Sequence, residues 1–223
     1  MKEKTVMAKT LIAYFSRADE NYFGGAMRYV KVGNTEIVVG VMKDLIEADT
    51  FKIEMKDPYS PVYMTCIEEA KKDLRAKARP ELVSTPESID EYDTVVLAYP
   101  NYWGTMPMAV FTFLEAFDFS GKTILPLCTN EGSGMGGSER DIKKACPGAD
   151  VKKGLSITGS QAAESRASHT RKARFRSSIP IHRIRPMMAD KHKMTTLPAV
   201  RYYNPVAGSF SICSAHPAVL PCQ

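Results

Sequence analysis

DTVVLAYPNYWGTMPMAVFTFLE, residues 93–115, decides the fold. It opens on an almost unbroken apolar run, Thr94–Tyr99. A turn with Pro100, Gly104 and Pro107 follows, and then Val110, Phe111, Phe113 and Leu114 recur at helical spacing. A short strand without polar alternation is one covered on both faces, which is the condition of a strand in a parallel sheet. The stretch is therefore a strand feeding a helix.

The same unit recurs on either side. Strands are predicted at Thr10–Phe15, Thr50–Met55, Thr94–Tyr99, Thr123–Cys128 and about Lys153–Ile157. Helices are predicted at Thr35–Glu47, Thr65–Lys77, Pro107–Phe117 and Ser138–Ala145. Five strands alternating with four helices specify an α/β protein with a doubly wound parallel sheet and right-handed crossovers.

Composition bounds the rest. The chain has 223 residues, enough for one domain plus an extension. Residues 1–164 carry 20 Lys+Arg against 24 Asp+Glu, whereas residues 165–223 carry 10 against 1 and hold all four histidines. The division reads as a domain at 1–164 followed by a basic tail at 165–223. The tail has six prolines and no sustained helical period, so most of it is expected to be poorly ordered. It stands where a last helix would cover the sheet, and the abrupt change at Glu164–Ser165 suggests loss of the natural coding frame. A basic tail with Phe175, Tyr202 and Tyr203 also admits contact with nucleic acid or an anionic membrane, but no amphipathic period or RNA-binding motif supports this. No nucleic-acid partner is expected.

No apolar run approaches the ~20 residues that span a bilayer. The five cysteines lack CxxC spacing, which disfavours a zinc site or disulfide framework and fits a reducing cytoplasm.

In an open parallel sheet, ligands bind beyond the carboxyl ends of the strands. Three loops lie there. After the first strand come Ser16-Arg17 and, 15 residues later, Gly33-Asn34-Thr35. Helix-starting amides and hydroxyls suit a phosphate dianion, although Ser, Asn and Thr are also ordinary helix caps. Residues 18–32 must leave the turn and return, and Gly24-Gly25 would permit the reversal.

After the third strand, Pro100-Asn101-Tyr102-Trp103-Gly104-Thr105 places two aromatics on a turn. It could stack on a flat ligand or simply pack on a neighbour. After the fourth, Thr129-Asn130-Glu131-Gly132-Ser133-Gly134 allows close backbone approach, or is a flexible connection. An anion cradle, a stacking loop and a close-approach loop together match one phosphate and one flat ring, hence flavin mononucleotide (FMN) rather than a dinucleotide.

The stretches YFSR…VGNTE, DTVVLAYPNYWGTMPMAVFTFLE, SGKTILPLCTNEGSGMGGSERDIKKACPGA and GLSITGS resemble the flavodoxin family over about residues 8–162. The likeness is to a bacterial branch with an insertion in the phosphate loop. It implies a five-stranded sheet in the order 2-1-3-4-5 and non-covalent FMN serving electron transfer. Relatives act as quinone or NAD(P)H oxidoreductases.

Carried over by position, Ser16 begins the phosphate loop and Asn34-Thr35 end it. Arg17 stands where a threonine or its neighbour often lies. Tyr102 and Trp103 lie against the isoalloxazine, with Pro100, Asn101, Gly104 and Thr105 shaping the backbone. Thr129, Asn130, Glu131, Gly132 and Gly134 border the ring's other side.

The loop after the fourth strand lacks the second aromatic that many electron carriers place there, and the domain's charge of −4 is mild. Three readings follow: an electron carrier with redox partner proteins, an FMN enzyme reducing quinones or similar small molecules with NAD(P)H, and a flavin-free scaffold. No side chain is assigned as catalytic, and no metal is expected.

Overall fold

The computed structural model describes residues 9–162, 202–204 and 209–211. The expectations for the tail at 165–223 otherwise lie outside the described residues. The chain divides into two compact units, 1–185 and 186–223. In chain order, the first holds β1 (Lys9–Tyr14), β2 (Asp19–Phe23), β3 (Ala26–Val30), α1 (Asn34–Lys43), β4 (Asp49–Lys52) and α2 (Tyr63–Ala76). It continues with β5 (Tyr92–Pro100), α3 (Met108–Glu115), β6 (Thr123–Asn130), α4 (Ser138–Ala145), β7 (Asp150–Val151) and β8 (Leu155–Thr158). In the second unit, β9 (Tyr202–Asn204) pairs antiparallel with β10 (Ser209–Ser211).

The main sheet runs β4-β1-β5-β6, and β7 and β8 both pair with β6. Every pairing in it is parallel. With β7 and β8 counted as one interrupted strand, this is the expected order 2-1-3-4-5.

The interruption has a local cause. Lys152 N still donates to Ile124 O of β6 at 3.0 Å, but Gly154 N turns aside to Glu139 Oε1 at 2.5 Å. A Cβ on Gly154 would lie 2.3 Å from Met135 Cε, so a larger residue there would displace the end of that side chain.

Alternate residues of the central strands serve two cores. Leu11, Ala13, Val95, Leu97, Tyr99, Ile124 and Cys128 pack beneath α3 and α4, with Phe113 fully buried among Phe51, Phe117 and Phe119. Ile12, Val96, Ala98, Leu125 and Leu127 pack against Val38, Val39 and Met42 of α1. Burial on both faces is why these strands read as continuous apolar runs.

Helix α1 ends at Lys43, although the apolar stripe continues to Ile46. Leu45 N and Ile46 N both bond to Met42 O in a closing turn, and both side chains pack on the core. Residues 18–32 form a two-stranded hairpin, β2–β3, with both turn glycines at positive φ.

Candidate functional site

The carboxyl ends of β1, β5 and β6 open into a cleft of ≈390 Å³, within the usual range for small-molecule sites. Arg17, Asn34 and Thr35 line one end. Pro100, Asn101, Tyr102, Trp103 and Gly104 line one side, and Thr129, Asn130 and Glu131 the other. The remaining sequence candidates, Ser16, Thr105, Gly132 and Gly134, do not line the cleft; Thr105 is buried and Gly132 exposed.

Ser16 supports the phosphate end. The residue preceding α1 is Gly33, which has no capping side chain. Ser16 Oγ instead accepts the Glu36 amide at 3.1 Å, capping the helix from 20 residues upstream. A Cβ on Gly33 would lie 2.3 Å from Arg17 O and 2.4 Å from Ser16 Oγ. The two halves of the loop therefore touch, and glycine is required where they meet. Among the described residues, the amides of Asn34 and Thr35 have no acceptor. Thr35 Oγ1 is engaged with Thr129 Oγ1 at 2.8 Å, both side chains buried.

The hairpin that separates the halves is fastened at its base. Arg17 Nη1 donates to Glu20 O, and Nη2 donates to Ser60 O at 2.7 Å and Pro61 O at 2.9 Å. Among the described residues, Arg17 Nε is buried without a partner. The Glu20 amide donates to Pro61 O at 3.2 Å, and Glu20 Oε2 accepts the Tyr63 amide at 2.8 Å at the start of α2. Tyr22 and Tyr63 stack with ring centres 6.4 Å apart. A lone two-stranded hairpin is marginal in water, so these ties decide where it sits.

The two loops on the other sides brace each other. Asn101 Oδ1 accepts the Gly104 amide at 2.9 Å, while its Nδ2 donates to Gly134 O at 2.9 Å. Asn130 Oδ1 accepts the amides of Gly132 and Gly134 at 3.0 and 2.9 Å. The Gly137 amide donates to Gly104 O at 2.7 Å. Thr105 is buried and donates to Asp141 Oδ2 at 2.8 Å. The backbone of this edge is thus fixed by side chains from within.

Trp103 is 46% exposed, with a left-handed backbone at φ 54°. Its indole N–H donates to Ile67 O at 2.7 Å, and Lys71 Nζ lies 4.6 Å from the ring centre. Tyr102 beside it is half-buried, its hydroxyl 3.9 Å from Cys66 Sγ. Burial pushes the Cys66 thiol up, and the nearby Arg17 charge opposes this. Burial likewise holds the Tyr102 phenol well above its ordinary value. Both groups are protonated at neutral pH, so the floor of the cleft carries no anionic nucleophile. Among the described residues, no three or more His, Cys, Asp or Glu side chains come together as a metal site would need. No helix among them is long and apolar enough to cross a membrane.

Sequence reasoning missed the wall contributed by α2, namely Tyr63, Cys66, Ile67 and Ala70. It also did not assign Asn21, Tyr22, Ser133 and Gly159 to the lining. The α2 signal was available: the helix joins the second and third strands, so its start must lie at this same edge.

A family model described as "Flavodoxin" matches residues 25–172. No curated protein matches the chain in sequence. Among solved structures, the chain is similar to two Bacteroides proteins described as flavoproteins. The one from Bacteroides uniformis is 25% identical with a TM-score of 0.58, covering 72% of this chain and 96% of that one. The one from Bacteroides eggerthii is 26% identical with a TM-score of 0.56, covering 70% and 94%. A Lactobacillus acidophilus flavoprotein solved in complex with FMN shares the fold, at 15% identity and a TM-score of 0.53, covering 70% and 97%.

Proposed function

The chain belongs to the flavodoxin family, and on that premise we propose that it binds FMN non-covalently in this cleft and transfers electrons through it. One observation carries the reading: unpaired helix-start amides, a guanidinium and an exposed indole line a single cleft with two braced loops. The residues present fit the cofactor. The amides of Asn34 and Thr35, with the N-terminal dipole of α1, would hold the phosphate. Arg17 adds a fixed positive charge close by.

Pro100, Asn101, Tyr102, Trp103 and Gly104 would line one side of the ring, with Thr129, Asn130 and Glu131 opposite. The flavin supplies the electron chemistry when bound. The protein binds and orients it and limits water at its edges. Because Asn101 and Asn130 spend their side chains on the loop backbone, ring contacts fall to main-chain groups and Trp103. Ser16, Thr105, Gly132 and Gly134 act by shaping that backbone. The same braces keep the loops in place without ligand, which lowers the ordering cost of binding.

A second reading, an NAD(P)H-dependent FMN oxidoreductase acting on quinone-like molecules, is favoured by the aromatic wall of Tyr22 and Tyr63 at the cleft mouth. It offers a planar molecule a surface to stack on. The visible spectrum of the purified protein tests the first step: bound-flavin absorbance supports the proposal, while a protein that stays colourless with added FMN contradicts it. Rapid mixing of the flavin-loaded protein with NADPH separates the readings. Direct bleaching supports the enzyme, and none supports the carrier.

A further inference from the structure

Glu131 stands where the inserted hairpin, the loop after β6 and the turn after β8 meet. Its Oε1 accepts the Ser160 amide at 2.6 Å, and its Oε2 accepts the Gly24 amide at 3.1 Å. Gly24 is the first residue of the hairpin turn, and its N–H group is fastened by this carboxylate alone among the described residues. The carboxylate also lies beside the first turn of α1. Both Asn34 Nδ2 and Glu131 Oε1 close on Gly159, so tightly that a Cβ there would sit 2.4 and 2.9 Å from them. Asn34, Glu131 and Gly159 all line the cleft.

A negative charge at the start of a helix is favourable. In the structure the Glu131 carboxylate stands near Asn34, the first residue of α1, whose free amide suits a phosphate. A phosphate dianion entering that end of the cleft is repelled by the carboxylate, which stands near the Asn34 side chain without bonding the helix amides. Like charges a few ångströms apart in a half-solvated cleft change an affinity by about tenfold or more.

We propose that Glu131 is a phosphate-responsive latch. Its carboxylate holds the hairpin tip through the Gly24 amide, and an incoming phosphate monoester repels it and releases Gly24. The base of the hairpin stays fixed, because Arg17 and Glu20 tie it to Ser60, Pro61 and Tyr63 independently of Glu131. Glu131 thereby tunes the preference between a phosphorylated flavin and its unphosphorylated parent, and couples cleft occupancy to the position of the insertion. This rests on the FMN reading of the same cleft.

The test uses the full chain with FMN and with riboflavin, which lacks the phosphate. Amide hydrogen exchange at Gly24 is measured in each case, together with both dissociation constants for the wild type and for Glu131→Gln. The latch requires FMN, but not riboflavin, to speed exchange at Gly24 of the wild type. It requires Glu131→Gln to favour FMN over riboflavin about tenfold more than the wild type does. Exchange at Gly24 that FMN leaves unchanged or slows overturns the proposal. So does an unchanged FMN-to-riboflavin ratio in the variant, since Glu131 is then only a brace. The exchange arm needs no variant and holds even if Glu131→Gln folds poorly. If the wild type binds neither flavin, the FMN reading falls and the latch falls with it.

Discussion

Two glycine turns border the same cleft and are built in opposite ways. In the loop after β6, Gly136 has φ 56°, and a Cβ there would lie 2.2 Å from Gly104 O. That loop is also held by Asn101, Asn130 and the Gly137 amide. At the hairpin tip, Gly24 and Gly25 also have positive φ, yet a Cβ on either would meet nothing within 4 Å. Glycine is demanded by a neighbour in the first case and by the turn alone in the second. A run of glycines in a sequence therefore does not tell a rigid loop from a loosely held one; the close approach does.

This contrast can be broken by measurement. Gly136→Ala should cost about 3 kcal/mol in denaturant unfolding, because both backbone strain and a backbone clash must be relieved. Gly25→Ala should cost only about 1 kcal/mol, for the φ alone. Equal costs would erase the distinction.

Arg17→Met comes next. It leaves the carbonyls of Glu20, Ser60 and Pro61 without their donor. We expect about 2 kcal/mol lost, with faster amide exchange across residues 19–30 and little change in the loop after β6. Uniform loosening of both loops would mean that the hairpin is not a separate unit.

Alkaline pH should act on the rigid side. The Cys128 thiol donates to Gly134 O at 3.5 Å from beneath the glycine loop, and burial pushes it from its ordinary value of 9.0 up to about 12. The folded value exceeds the unfolded one, so the contribution is intact below pH 9 and is lost as pH rises toward 12. The slope is about 1.4 kcal/mol per pH unit at most. Melting curves should show Cys128→Ala flattening it.

The smallest effect is that of Trp103→Phe. It removes the hydrogen bond to Ile67 O and weakens the Lys71 contact, for about 1 kcal/mol. Flavin binding should weaken with it, as read by fluorescence quenching.

The sheet was legible because burial on both faces leaves an unbroken apolar run, as in Thr94–Tyr99 and Thr123–Cys128. The split of the last strand was not, because it depends on Glu139 reaching the Gly154 amide from another element. The reversal at Gly24-Gly25 was legible from the dipeptide, but not as strands. β3 is largely exposed and β2 half-buried, and both carry little apolar alternation, the signal that marks a half-buried strand.

For the site, the loop after each strand could be found by topology. What each side chain does there could not. Ser16 caps a helix 20 residues on, Thr105 faces Asp141, and Asn130 serves its own loop. Such roles are set by tertiary contact, and residue type alone leaves them open. The α2 wall went unread because Tyr63, Cys66, Ile67 and Ala70 form an ordinary amphipathic pattern, whose inner face here meets a cleft.

The most direct test of the account is a calorimetric titration of the ligand-free full chain with FMN. One FMN per chain is expected, with binding lost or much weakened when riboflavin replaces it, as a phosphate held at the start of α1 beside Arg17 requires. No heat and no change in the flavin spectrum on mixing would contradict it.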